Sequence, residues 1–309
     1  MPVYRRLLAA AAGLALAAPV AAQDDPPIEL EDIVVVARRS GAPVWRIHDG
    51  DSTVILVGSA RSIPRDIAWR PEALESAVQQ ADAIVMSQSA TMSLGDFMRL
   101  RRAKARLPRG TTVADYLDVE QQRRLQQLGV NYRRDYSERG LVSIAEDLLD
   151  RRLAYGRGNG PSAESVIRAA ARKMNKASVL VGDMDARHID EAAAVPDQGQ
   201  VACLTAAMSA VEAGRDGVVL RASSWARQDV PTLMATPLER AVDRCAWFAD
   251  GELRRQGRAQ WSQALVDALA APKTTLMVMS VSIAAEPGGV LDQAEAKGLD
   301  VTGPDWKGD

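Results

Sequence analysis

The sequence has little histidine, cysteine or aromatic side chain. His48 and His188 are its whole supply of imidazole, the commonest metal ligand and a frequent general base. Its two cysteines, Cys203 and Cys245, are too far apart for a Cys-x-x-Cys zinc site. Aromatic residues make up 4% of the chain and Phe occurs twice. With abundant Ala and Arg, this composition favours helices over an all-β fold. No P-loop and no Gly-x-Ser-x-Gly elbow is present. No segment after the N-terminus approaches the ~20 apolar residues that cross a bilayer. A net charge of −2 argues against general nucleic-acid binding.

Residues 1–22 read as a secretory signal peptide. Arg5 and Arg6 form its positive end and residues 7–18 its apolar segment. Val20-Ala21-Ala22 supplies small residues for a cut after Ala22. About a dozen apolar residues are too few for an anchoring helix. The leader carries two arginines and no acids, so its removal takes the net charge from −2 to −4. The expected location is periplasmic or secreted. In an oxidising compartment Cys203 and Cys245 point to one disulfide joining two C-terminal helices, the alternative being two separate buried thiols.

Residues 23–43 form a linker, from Asp24-Asp25-Pro26-Pro27 to Gly41-Ala42-Pro43. Within it, Glu31-Asp32-Ile33-Val34-Val35-Val36-Ala37-Arg38-Arg39 is locally similar to the segment near the mature start of TonB-dependent outer-membrane receptors. The plain reading is an extended arm or edge strand of β-branched residues. The sharper one is a contact with an envelope partner.

The remaining residues, 44–309, are enough for one large domain with a full core. It opens with two short apolar runs flanking Asp49-Gly50, a strong hairpin signal. Residues 54–57 are continuously apolar, as in a strand buried on both faces, and the chain leaves that strand at Gly58. A helix at 71–80 with Pro71 at its start, a strand at 83–86, a strand at 177–181 and a strand at 274–279 follow. Ser162 is placed to cap a helix over 163–175. Residues 199–271 read as nearly all helix, broken near Gly214, Pro231 and Pro237. A turn at Pro287-Gly288-Gly289, a helix and a short strand at 298–301 close the domain. The expected fold is α/β (α+β): a central mixed β-sheet with an opening hairpin, covered by many helices.

A predicted helix over 93–107 places Leu94, Phe97 and Met98 on one face. It also carries Arg99, Arg101, Arg102, Lys104 and Arg106, with Arg109 just beyond. Such a helix either presents a solvated face or meets an anionic membrane or acidic partner.

The order of these pieces carries a family resemblance. Trp45 through Gly58 is similar to a hairpin of the type W-x-[VI]-x-D-G-x-S-T-x-x-L-x-G. Trp69-Arg70-Pro71-Glu72-Ala73-Leu74 resembles the helix that follows it. Residues 275–279 resemble a late strand, Pro287-Gly288-Gly289-Val290-Leu291-Asp292 its turn and helix, and Gly298-Leu299-Asp300-Val301 a G-[YF]-x-V ending. Together they resemble the TraB/PrgY/GumN family over about residues 44–303. Its relatives, including the Tiki proteins, resemble metal-dependent peptidases. The resemblance implies metal-binding histidines from two G-x-x-H motifs and a glutamate at the end of the strand after the first helix. Imidazoles and a carboxylate would hold a divalent cation that activates water.

The sequence departs from that pattern at each such position. The first histidine is replaced by Arg61 in Gly58-Ser59-Ala60-Arg61. The glutamate position is Ser87, followed by Gln88. The second histidine is replaced by Ile283 in Ser280-Val281-Ser282-Ile283. The family's late helix often carries an Arg-Asn pair, which Gly257-Arg258 does not preserve. Arginine has no lone pair for a metal and isoleucine has no donor atom. Asp183, Asp185 and His188 imitate a metal cluster, but no second motif supports one. No metal and no cofactor is therefore expected.

Three functions follow as expectations. In the first, the scaffold persists without catalysis as a binding or regulatory module. Its pocket, at Gly58, Ser59, Arg61, Ser87, Gln88 and Ser282, would take a small anionic ligand. A competing role for Arg61 is a plain ion pair with an acid such as Glu286. In the second, an envelope protein is met through residues 23–43 and the basic helix. In the third, a divergent peptidase or hydrolase uses Ser59 or Ser282 as nucleophile, although no histidine base is suitably placed.

Overall fold

The computed structural model describes residues 41–87, 93–153, 158–182, 196–246 and 252–308. Residues 1–22, expected to be a leader, residues 23–40, Gln88 and the segment with Asp183, Asp185 and His188 lie outside the described residues.

The Asp49-Gly50 signal becomes a hairpin. Strand β1 (Val44–Asp49) pairs antiparallel with β2 (Ser52–Ser59), with Asp49 opposite Ser52. Gly50 turns the chain at φ 55°, a conformation that costs glycine little. All eight residues of β2 are buried, as its unbroken apolar run requires. The other strands are β3 (Ala83–Met86), β4 (Ser178–Leu180), β5 (Thr274–Ser280) and β6 (Asp300–Thr302). They form one mixed sheet in the order β4-β3-β5-β2-β1-β6. β2, β5, β3 and β4 run parallel, and β1 is antiparallel to both of its neighbours. The carboxyl ends of β2, β5 and β3 therefore open on one edge, where α/β sheets place their sites.

The helices among the described residues begin with α1 (Glu72–Gln80), α2 (Leu94–Ala103) and α3 (Val119–Tyr132). Helix α4 (Leu141–Glu146) continues as a π-helical turn over Asp147–Arg152. Then come α5 (Ala163–Lys173), α6 (Gln198–Ala226), α7 (Val230–Ala235), α8 (Pro237–Ala246), α9 (Glu252–Leu269), α10 (Val281–Ala285) and α11 (Val290–Ala296). Ser162 caps α5 as its position predicts, accepting from Ser165 N at 3.2 Å. Asp118 and Gln121 form a reciprocal capping box on α3. The predicted breaks in the long helical stretch are present, including non-helical backbone at Gly214 inside α6.

Two apolar clusters fill the domain. The larger surrounds the sheet and includes Trp45, Leu56, Val57, Leu74, Trp225, Met277 and Met279. The smaller gathers Leu125, Leu128, Leu141, Leu148, Leu204, Met208 and Leu238. Helix α6 enters both: Cys203, Leu204, Ala207, Met208, Ala210 and Val211 lie in the smaller cluster, Ala222 and Trp225 in the larger. One helix thus ties the two into a single α/β domain.

The predicted pairing of cysteines is realised. Cys203 on α6 and Cys245 on α8 form a disulfide with Cα atoms 4.7 Å apart, spanning 42 residues of sequence. Closing a loop of that length removes denatured-state entropy worth about 4 kcal/mol in the chain-entropy model. Cys203→Ala/Cys245→Ala should therefore lower the unfolding free energy by about 2–4 kcal/mol in urea titration. Adding reductant to that variant should change nothing further.

Candidate functional site

The sheet's carboxyl edge brings most of the predicted positions together. Ser59, the last residue of β2, stands in register with Ser280, the last of β5. Ser87 follows β3 and donates its hydroxyl to the Val278 carbonyl of β5 at 3.2 Å. Ser282, buried at the start of α10, shares a hydrogen bond with Ser280 (Oγ–Oγ 2.8 Å). The Ser59 hydroxyl is buried with no hydrogen-bond partner. Ile283 packs against the larger apolar cluster. Arg61 is exposed in the loop beyond β2, and its guanidinium has no ion-pair partner among the described residues.

The loop that carries Arg61 is held from two sides. On one, the Gly58 N–H donates to Pro43 O at 2.8 Å, and Trp45 covers Gly58. A Cβ on Gly58 would sit 2.9 Å from the Trp45 ring, so only glycine allows this approach without movement. On the other side, Trp225 Nε1 donates to Gly58 O at 3.0 Å, and Arg221 Nη1 donates to Arg61 O at 2.8 Å. Arg221 is itself almost wholly buried and bonds Glu239 Oε2 through Nε at 2.6 Å; the two side chains are 1% and 2% exposed. Trp69 meets Trp225 edge-on, with ring centroids 5.1 Å apart.

Sequence reasoning did not single out Arg221, Trp225 or Glu239. The available signal was slight: Arg221 and Trp225 lie four residues apart, on one face of α6. In an arginine-rich helical stretch that spacing does not distinguish a buried arginine from an exposed one.

A second ionic cluster follows β5. Glu286, just past α10, is bonded by Arg254 of α9 and lies 3.8 Å from Arg258. Arg254 also pairs with Asp243 of α8 at 3.0 Å. Burial pushes the Glu286 carboxyl above its ordinary value, against the pull of Arg254. Burial acts to lower the Arg254 pKa, but Asp243 and Glu286 outweigh it and hold that pKa above its usual value. The competing expectation of an ion pair between Arg61 and Glu286 is corrected here, because Arg254 and Arg258 take that carboxylate. Beside this cluster lies a cavity of about 490 Å³ lined by Arg255, Arg258, Ser262, Gly288, Gln293 and Lys297, among others.

The residues at the sheet edge do not fit the metal that the resemblance implies. Arg61 offers a cation, the Ser87 hydroxyl is engaged with a backbone carbonyl, and Ile283 offers carbon. Among the described residues, no three His, Cys, Asp or Glu side chains converge to hold an ion. His48 cannot substitute. It sits at the turn end of the hairpin, with Nδ1 3.1 Å from Thr53 Oγ1. Burial and Arg46 lower its pKa. Neither Ser59 nor Ser282 has a histidine beside it among the described residues.

These features define an α/β protein whose hairpin-led mixed sheet presents three parallel strand ends at one edge. The family model of the TraB/PrgY/gumN family matches residues 43–303, and the chain belongs to that family. No curated protein and no solved structure matches the chain.

Two substitutions test how the edge is held. Arg221→Ala leaves Glu239 buried without its partner and should cost about 3–5 kcal/mol, read from the urea midpoint. The double variant Arg221→Met/Glu239→Leu should recover much of that loss. Gly58→Ala forces Trp45 to move and should cost about 1–3 kcal/mol in the same titration.

Proposed function

We propose that this protein is a non-catalytic member of the TraB/PrgY/gumN family. On this reading it is exported by residues 1–22, carries a linker at 23–43 and works in the periplasm or outside the cell. Its domain, residues 44–309, binds a small anionic ligand at the sheet edge as a binding or regulatory module. The observation that carries the reading is the exposed, unneutralised guanidinium of Arg61 at a position where the family pattern implies a metal-binding histidine. An arginine near two strand ends suits a carboxylate or phosphate, which its planar fork can grip through two hydrogen bonds. The disulfide is compatible with an oxidising compartment. Among the described residues, no helix is long and apolar enough to cross a membrane. Hydrolysis by new residues is disfavoured on this reading because neither Ser59 nor Ser282 has a histidine beside it among the described residues.

Metal analysis and ligand-dependent melting test this reading together. The purified protein should carry no stoichiometric zinc, manganese or cobalt, and a chelator should leave its melting temperature unchanged. A bound metal together with chelator-sensitive peptidase activity would overturn the proposal. A panel of phosphates and carboxylates should contain an anion that raises the melting temperature by roughly 5–10 °C at a hundred times its Kd. Arg61→Ala should abolish most of that shift. A shift that survives in Arg61→Ala but disappears in Arg258→Ala would move the anion site to the cavity between α9 and α11.

A further inference from the structure

Helix α2 is built inside out. A surface helix ordinarily turns its apolar stripe toward the core. In α2 three of the four large apolar side chains face away from it: Leu94 is 80% exposed, Phe97 50% and Met98 38%, and Leu100 is half-buried. Their spacing, i, i+3 and i+4, makes them one stripe over the first two turns. Phe97 is one of only two phenylalanines in the chain, and it stands on the surface.

Arg101 continues the same stripe one turn further on, with Arg102 beside it, and both are exposed. Arg106 and Arg109, also exposed, follow in the segment after the helix. The outward surface thus begins apolar and ends strongly basic. This occurs on a chain whose net charge is −2, so the basic surface is local and not a general polycationic character.

We propose that α2 docks the protein on an anionic phospholipid surface. Leu94, Phe97 and Met98 enter the boundary between headgroups and acyl chains, a depth of about 5–10 Å for interfacial helices. Arg101 and Arg102 stay at the level of the lipid phosphates, their stems along the apolar layer and their guanidinia bonding phosphate oxygens. A ten-residue helix, about 15 Å long, lies in that plane and does not span it. An acidic protein surface would answer the arginines but leave the apolar stripe exposed. A zwitterionic bilayer would take the stripe but lack the charge. An anionic membrane satisfies both. The inference is independent of what binds at the sheet edge.

Vesicle sedimentation tests it, using the full chain and variants with identical N-termini. One set of vesicles is phosphatidylcholine alone, and the other is phosphatidylcholine and phosphatidylglycerol in equal parts. The protein should bind the anionic vesicles well above the neutral ones, and less at high salt. Arg101→Ser/Arg102→Ser should weaken partitioning about thirtyfold, from roughly fivefold per arginine. Leu94→Ser/Phe97→Ser/Met98→Ser should weaken it about tenfold or more. The exposed positions should leave the melting temperature of both variants near that of the parent, separating lost docking from lost folding. Failure to bind anionic vesicles, equal binding to both kinds, or binding untouched by both sets of substitutions would each overturn the proposal. A concentration-dependent dimer that the apolar variant abolishes would also overturn it, by making a second copy the occupant of the stripe.

Discussion

A guanidinium shut away from water has to be neutralised where it stands. Arg221 is charged at any accessible pH and is 1% exposed. Glu239 answers the charge from α8, and the Arg61 carbonyl takes a further hydrogen bond. A buried ion pair of this kind contributes little net stability over a hydrophobic replacement. It does fix geometry, because each partner is intolerable without the other. Here it sets α6 against α8 and fixes both against the loop that leaves β2.

That arrangement holds the sheet edge without help from the positions that the family resemblance assigns to metal ligands. The Gly58 loop is bounded by Pro43 and Trp45 on the hairpin side, and by Trp225 and Arg221 on the helix side. None of these contacts uses a side chain at those positions; Arg221 meets Arg61 only through its backbone carbonyl. Arg61, Ser87 and Ile283 lie just beyond strand ends, where a side chain can change without opening the strands themselves. Ser87 binds a neighbouring strand through its hydroxyl, and Ile283 joins the apolar cluster. Two of the three positions have thus been drawn into the scaffold. Arg61 alone still faces outward.

The fold was largely legible because its signals are local. An unbroken apolar run, a turn dipeptide, a proline at a helix start and a serine cap each act over a few residues, and each appears where expected. The disulfide followed from the expected compartment and the count of two cysteines. What stayed hidden depends on direction. Helical spacing placed Leu94, Phe97 and Met98 on one face, but periodicity cannot say whether a face points to the core or to water. The role of Arg221 was hidden for the same reason. The sheet-edge residues were legible only as positions in a family pattern. That Ser87 reaches a backbone carbonyl, or that Glu286 belongs to Arg254, depends on long-range packing between elements far apart in sequence.

Charge pairing across the domain gives the two outward cationic sites their meaning. Many arginines are answered by a carboxylate: Arg123 by Glu120, Arg124 by Glu212, Arg168 by Glu164, and Arg151 and Arg152 by the buried Asp147. In an acidic chain, carboxylates to pair with Arg61, Arg101 and Arg102 are not scarce, yet none of the three has such a partner among the described residues. An exposed arginine left alone costs little, so its isolation is weak as a stability argument. The neighbours decide the matter. Arg61 stands beyond the joined ends of two buried strands, and Arg101 and Arg102 complete a stripe of exposed apolar side chains. It is these neighbours, and not the missing partner alone, that support the anion proposed at each place.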